Sequence, residues 1–149
     1  MCKITSSAFK KLEFFPITRK QDDADANNII AAVVNEENEI TLLRQNYVSA
    51  TNYVCVAGIM KPGESAEDTV VREIKEELGL DVTGLEFIKS YPYAKKEMLM
   101  LGYKAIVKKS DFILSGEVDS VKWVKSEDSL HLLREGSIAW QLVRQVIAV

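Results

Sequence analysis

The sequence predicts an α/β (α+β) fold, a mixed β-sheet with helices packed over it. Three observations carry this reading: β-branched-rich runs early in the chain, a well-capped helix between Ser65 and Gly79, and further strand-like runs closed by an apolar-periodic segment. The 149 residues suffice for one domain with a real core and fall short of two typical ones.

Taken in order, Gln21 to Asn28, "QDDADANN", is polar and loop-like and sets off a piece carrying Phe9, Leu12, Phe14, Phe15 and Ile17. Residues 1–27 are therefore expected to form a short extension, packed on a domain at 28–149 or on a partner chain. Two β-branched-rich runs follow around the turn-like "NEEN", in "NIIAAVVNEENEITLLRQN", and "NYVCVAG" supplies a third strand. Pro62-Gly63 then makes a turn, Ser65 can N-cap a helix with Asp68 three residues on, and Gly79 suits its C-terminal cap. "GLEFIKSYPY" and "MLMLGYKAIVKK" read as strands, with "MLML" as core strand. "EVDSVKWVKSED" reads as a shorter strand, and the terminal helix begins near Ser137.

Composition excludes several classes. Hydrophobic residues at 47%, charged residues at 28% and a net charge of −3 describe neither a disordered chain nor a phosphate-neutralising one, so no DNA partner is expected. The longest apolar runs, such as "IIAAVV", fall far below the roughly 18 residues of a membrane span, and "MCKITSSAFKK" lacks a signal-peptide core. A cytoplasmic protein with no membrane partner is expected. Cys2 and Cys55 have neither CxxC spacing nor a histidine companion, which predicts a buried thiol at Cys55, no disulfide and no structural zinc. His131 is expected at the surface, and Trp123 and Trp140 as packing residues.

The helix carries the chemistry. Glu73 and Glu77 lie one turn apart on one stripe with Glu76 at its edge, while Val70, Val71, Ile74 and Leu78 point roughly 100° away by the 3.6-residue period. Exposed, such a cluster costs only a few tenths of a kcal/mol and needs no function. In a partly closed cleft, two carboxylates about 4 Å apart repel by about 4 kcal/mol at an effective dielectric of 20, and a hard divalent cation, Mg²⁺ or Mn²⁺, is the natural counter-charge. The glycine-rich turn before the helix leaves room for a backbone carbonyl such as that of Ala57 to act as a neutral ligand and for an anion to approach Gly58. Arg72 is expected to orient one of the carboxylates.

Gly58, five residues, Glu64, seven residues, then Arg72-Glu73-Ile74-Lys75-Glu76-Glu77-Leu78-Gly79-Leu80 resembles the complete signature of the Nudix hydrolases. The resemblance covers about Asn28 to Val149. It implies an α/β/α sandwich and a pyrophosphohydrolase that cleaves the diphosphate of a nucleoside diphosphate derivative with Mg²⁺ or Mn²⁺. Glu73 and Glu77 would be metal ligands, and Glu76 a further ligand or the general base. Ser90 to Ala105, "SYPYAKKEMLMLGYKA", is similar to the segment that marks NADH pyrophosphatases, with Ser90, Pro92, Leu99, Met100 and Gly102 matching. Tyr91, Tyr93, Ala94, Lys95 and Lys96 depart from that pattern. The resemblance further implies Glu117 as a metal ligand, Ala139 as a substrate contact and a possible homodimer.

An NAD(H)-like dinucleotide is thus the expected substrate. Tyr91 and Tyr93 are candidates to stack on a base, and Lys95 and Lys96 to meet the diphosphate. ADP-ribose or an ADP-sugar, a nucleoside triphosphate or a capped RNA end remain open as substrates, as does a non-catalytic nucleotide-binding regulator.

Overall fold

The computed structural model describes residues 27–49 and 51–148; the apolar N-terminal piece and Cys2 lie outside them. Strands β1 (Asn28–Val34), β2 (Glu39–Arg44) and β3 (Val56–Ile59) precede helix α1 (Ala66–Leu78). After it come β4 (Val82–Tyr93), β5 (Met98–Val107), β6 (Ser120–Lys125), the one-turn α2 (Ser126–Ser129) and α3 (Ile138–Ile147).

β1 organises the sheet. β5 runs parallel to it from Asn28 beside Met100 to Val34 beside Ile106. Its other edge takes β3 antiparallel over Asn28–Ala31, and β2 antiparallel at Val34. β4 on β5 and β6 on β2, both antiparallel, complete six strands. All seven residues of β1 are buried, because helices cover both faces of the sheet. Ile29, Ala31 and Val33 pack in the layer of Val70, Ile74 and Leu78 from α1, while Ile30, Ala32 and Val34 pack in that of Leu142, Val143 and Val146 from α3. The fold is an α/β/α sandwich with a mixed sheet.

Local chemistry ends the helices where the sequence places the caps. The Ser65 hydroxyl accepts from the Asp68 N–H, and Gly79, at φ 73°, donates its N–H to the Lys75 carbonyl in the left-handed conformation that glycine adopts without penalty. The Ser137 hydroxyl accepts from the Trp140 N–H at the start of α3. Val70, Ile74 and Leu78 are fully buried, each contributing about 1.5–3 kcal/mol. Val71 departs from the expected stripe: it is 42% exposed, one helical step off the line of 70, 74 and 78, and Glu77 shares the buried face instead. Cys55 is a buried free thiol, pushed up to about 12 by desolvation. His131 is exposed on a 3-10 turn, and Trp123 packs on Phe112 with ring centroids 5.0 Å apart. Among the described residues no helix is long and apolar enough to cross a membrane.

Candidate functional site

A cleft of about 1030 Å³ opens where β3, α1, the start of β5 and the turn at Glu117 meet, and Ala57, Gly58, Arg72, Glu73, Glu77 and Glu117 all line it. The packing of α1 explains why the carboxylates face this way. With Ile74 and Leu78 seated on the sheet, Glu73 and Glu77 fall on the side of the helix that borders the β3 edge.

Arg72 ties the cluster together. Its Nε and Nη2 donate to the two oxygens of Glu64 at 2.7 and 2.9 Å, its Nη1 to Glu73 at 2.8 Å and Glu76 at 3.2 Å, and its Nη2 also to the Ile59 carbonyl at 3.1 Å. The planar guanidinium thus fixes Glu73 against the backbone of β3, a task a lysine could not perform with one nitrogen. Arg72 and the Thr69 hydroxyl hold Glu64 at about 2, well below the ordinary carboxylate range. The Glu73 carboxyl lies against Gly58, where a Cβ would overlap it. Gly58 is therefore required by close approach, and it sits in the edge strand rather than in the turn that follows.

Glu77 is the anomaly of the site. It is 5% exposed, its Oε2 has no hydrogen-bond partner among the described residues, and its carboxyl is pushed up to about 8. Desolvation is the main cause, followed by the charges of Glu73 and Glu117, while Gln45 pulls the other way. Desolvation also raises Glu73, against the pull of Arg72. Glu117 reaches this group because its turn is tied down on both sides. Ile113 and Ser115 donate their N–H groups to the carbonyls of Leu78 and Glu77 at the end of α1, and Asp119 donates to Arg44 of β2. Gly79 allows that approach, since a Cβ there would come within 2.6 Å of the Ile113 Cβ.

Other expected residues lie elsewhere. Glu76 is half exposed, bonded to Arg72 and absent from the cleft lining, because it is one residue off the line of Glu73 and Glu77. Tyr91 is corrected as a stacking platform. It is 3% exposed, packs on Gly102 beneath α3, and donates its hydroxyl to Gln145 at 3.0 Å, so no ring face is open to a base. Tyr93 borders a smaller neighbouring cavity of about 370 Å³ that shares Asn27 and Met98 with the cleft. Lys95, on the 3-10 turn Ala94–Lys96, is absent from the cleft lining, and Lys96 lines the cleft in its place. Ala139 is buried in the first turn of α3, in the core layer of Leu142 and Val143, and is absent from the cleft lining.

The cleft also holds residues that sequence reasoning passed over. Lys61 and Tyr47 stand at its rim, the latter 71% exposed with its phenol raised by partial desolvation and by the charges of Glu117, Glu77 and Glu73. Met98 and Met100, two residues apart and so on one face of β5, line it, as does Asn28, and Met100 also packs against the core layer of α3. The period-two spacing of "MLML" was the available signal.

The donor set suits a hard divalent cation: carboxylates, and one buried oxygen left without a partner. Among the described residues no three His, Cys, Asp or Glu side chains converge into a ready cage, since Arg72 engages Glu73 and draws Glu76 outward. An ion that keeps most of its waters requires only one or two carboxylates, which Glu73 and Glu77 could supply.

A sequence model of the NUDIX domain matches residues 25–146. The NAD-capped RNA hydrolase NudC of Pseudomonas putida (strain W619) is 31% identical over 117 residues, 78% of this chain and 42% of the relative. The NAD-capped RNA hydrolase NUDT12 of Homo sapiens is 28% identical over 134 residues, 81% of this chain and 29% of the relative, so the chain spans less than half the length of both. Among solved structures, the NUDIX domain of Shewanella oneidensis NrtR complexed with ADP ribose superposes with a TM-score of 0.70 at 19% identity. That match covers 96% of this chain and 97% of the other and shows the shared fold. The family match spans the sheet, both layers of helix and the carboxylate cleft, and on it the chain belongs to the NUDIX domain family.

Proposed function

We propose that the chain is a divalent-metal-dependent pyrophosphohydrolase that cleaves the diphosphate linkage of a nucleoside diphosphate derivative. An NAD-type dinucleotide, free or at the end of an RNA, is the proposed substrate, in keeping with the activity named for the NudC and NUDT12 relatives. The observation that carries the reading is Glu77: a buried carboxyl with an unpartnered oxygen, beside two further carboxylates, in a cleft open to solvent.

Glu73 and Glu77 would hold Mg²⁺ or Mn²⁺, with Glu117 and the Ala57 carbonyl at the cleft edge as further ligands. Such an ion, when bound, neutralises diphosphate oxygens and lowers the pKa of water. The chain does the positioning. Arg72, itself fixed by Glu64, keeps the Glu73 carboxylate in place, and Gly58 leaves the backbone bare where the diphosphate approaches. Lys61 and Lys96 supply charge for phosphate oxygens at the rim. Glu73, Glu76 and Glu77 are the candidate acceptors for the proton that the attacking water gives up. A cytoplasmic location and a homodimer belong to the same proposal, tested by cell fractionation and sedimentation.

The experiment is a substrate panel of NAD, NADH, NAD-capped RNA, ADP-ribose, an ADP-sugar and nucleoside triphosphates, with Mg²⁺, Mn²⁺ or EDTA, products resolved by chromatography. NMN and AMP from the dinucleotide, with the highest kcat/KM in the panel and none in EDTA, is the expected result. No turnover of any member overturns the catalytic reading, and tight binding without hydrolysis replaces it with a nucleotide-binding regulator.

A further inference from the structure

Asn28 opens β1, with its backbone paired to Ile59 on one side and Met100 on the other, and its side chain lines the cleft while only 6% exposed. A primary amide offers two donors and two acceptor sites. Among the described residues the Asn28 side chain makes a single hydrogen bond, its Nδ2 donating to the Met98 thioether sulfur at 2.8 Å, and its carbonyl oxygen is not one of the buried orphaned atoms. Sulfur is a weak acceptor, so a group that folding almost wholly removes from water keeps most of its hydrogen-bonding capacity for something in the cleft. Beside it Met98, Met100 and Met60 present an apolar, polarisable surface, suited to the face or edge of an aromatic ring.

We propose that Asn28 determines base specificity at this site, its amide pairing with the N6 donor and N7 acceptor of an adenine seated on Met98 and Met100. The inference rests on the nucleotide-binding side of the function proposed above. The chemistry selects the base: adenine offers one donor and one acceptor in the spacing of a planar amide. Hypoxanthine and guanine present O6 and N7 on that edge, two acceptors, and would set a lone pair against the Asn28 carbonyl oxygen.

The test compares affinity for ADP-ribose and for its hypoxanthine counterpart by calorimetry in EDTA, in wild type and in Asn28→Leu and Asn28→Ser. Wild type is expected to prefer adenine by about 5- to 100-fold. The variants are expected to bring the two affinities within about twofold by weakening adenine and leaving hypoxanthine nearly unchanged. Equal affinities in wild type, binding of neither ligand, or a preference that survives in a folded variant overturns the proposal. The wild-type comparison stands even where a variant fails to fold. Turnover in Mg²⁺ is scored separately: adenine preference without hydrolysis sinks the catalytic reading alone, and hydrolysis without base preference sinks this one alone.

Discussion

Replacing Glu77 with glutamine should make the metal-free protein more stable and the enzyme inert. The buried carboxyl sits at about 8 in the folded chain against the ordinary 4.5, so between those values the folded state binds the proton that the unfolded state has released. Stability therefore falls as pH rises through that window, and the penalty is complete above about 8. The full shift corresponds to about 5 kcal/mol, and water entering the open cleft reduces the realised cost to about 2–3 kcal/mol. Glutamine keeps the shape and carries no charge. In EDTA at pH 8.5 its melting temperature should exceed that of wild type by about 4–12 °C, and the gain should vanish near pH 4.5. Mg²⁺ should raise the melting temperature of wild type and leave the variant unmoved, with turnover reduced by orders of magnitude. A variant no more stable than wild type at pH 8.5, or one whose gain is the same at both pH values, would refute the electrostatic account of Glu77. Retained turnover would refute its role as a ligand.

Gly58→Ala places a Cβ inside the Glu73 carboxyl and should lower kcat about 100-fold with the fold intact by circular dichroism; unchanged kcat would show that Glu73 need not lie there. Glu64→Gln removes a carboxylate held at about 2, whose contribution is present above 4.5 and lost as pH falls through about 2. Urea midpoints should favour wild type at pH 6 and converge with the variant near pH 2, and a constant gap would contradict the Arg72 pairing. Tyr91→Phe deletes the bond to Gln145 and should cost about 1 kcal/mol in urea denaturation with KM unchanged, whereas a raised KM would return the Tyr91 hydroxyl to the binding site.

What could be read in advance was local. Ser65, Gly79 and Ser137 act through chemistry within three or four residues, and the caps stand where the sequence places them. The alignment of Glu73 with Glu77 follows from helical period alone. Sidedness was not legible in the same way. Alternation in β4 and β5 separates two faces, but in a sheet covered on both sides either face is apolar, so Tyr91 gave no sign of belonging to the layer under α3. Asn28 fell both at the end of a polar stretch and at the start of the first strand-like run, and pairing with Ile59 and Met100, far along the chain, makes it a strand residue. The approach of Glu117 to Glu77 likewise depends on backbone bonds from Ile113 and Ser115 to the end of α1.

The parallel pairing of β1 with β5 has a consequence for how the chain is made. Some seventy residues separate the partners, so during synthesis β1 emerges long before the strand that completes its edge. Until Met98–Val107 has left the ribosome, "IIAAVV" can pair only with its antiparallel neighbours β2 and β3, and one flank stays open. A long, apolar, unpaired edge is a template for association with other chains. Nascent chains truncated before residue 98 should therefore be captured by holdase chaperones or aggregate. Chains released after residue 107 should show a sharp fall in that tendency, and β1 amides should be among the last to exchange in the finished domain.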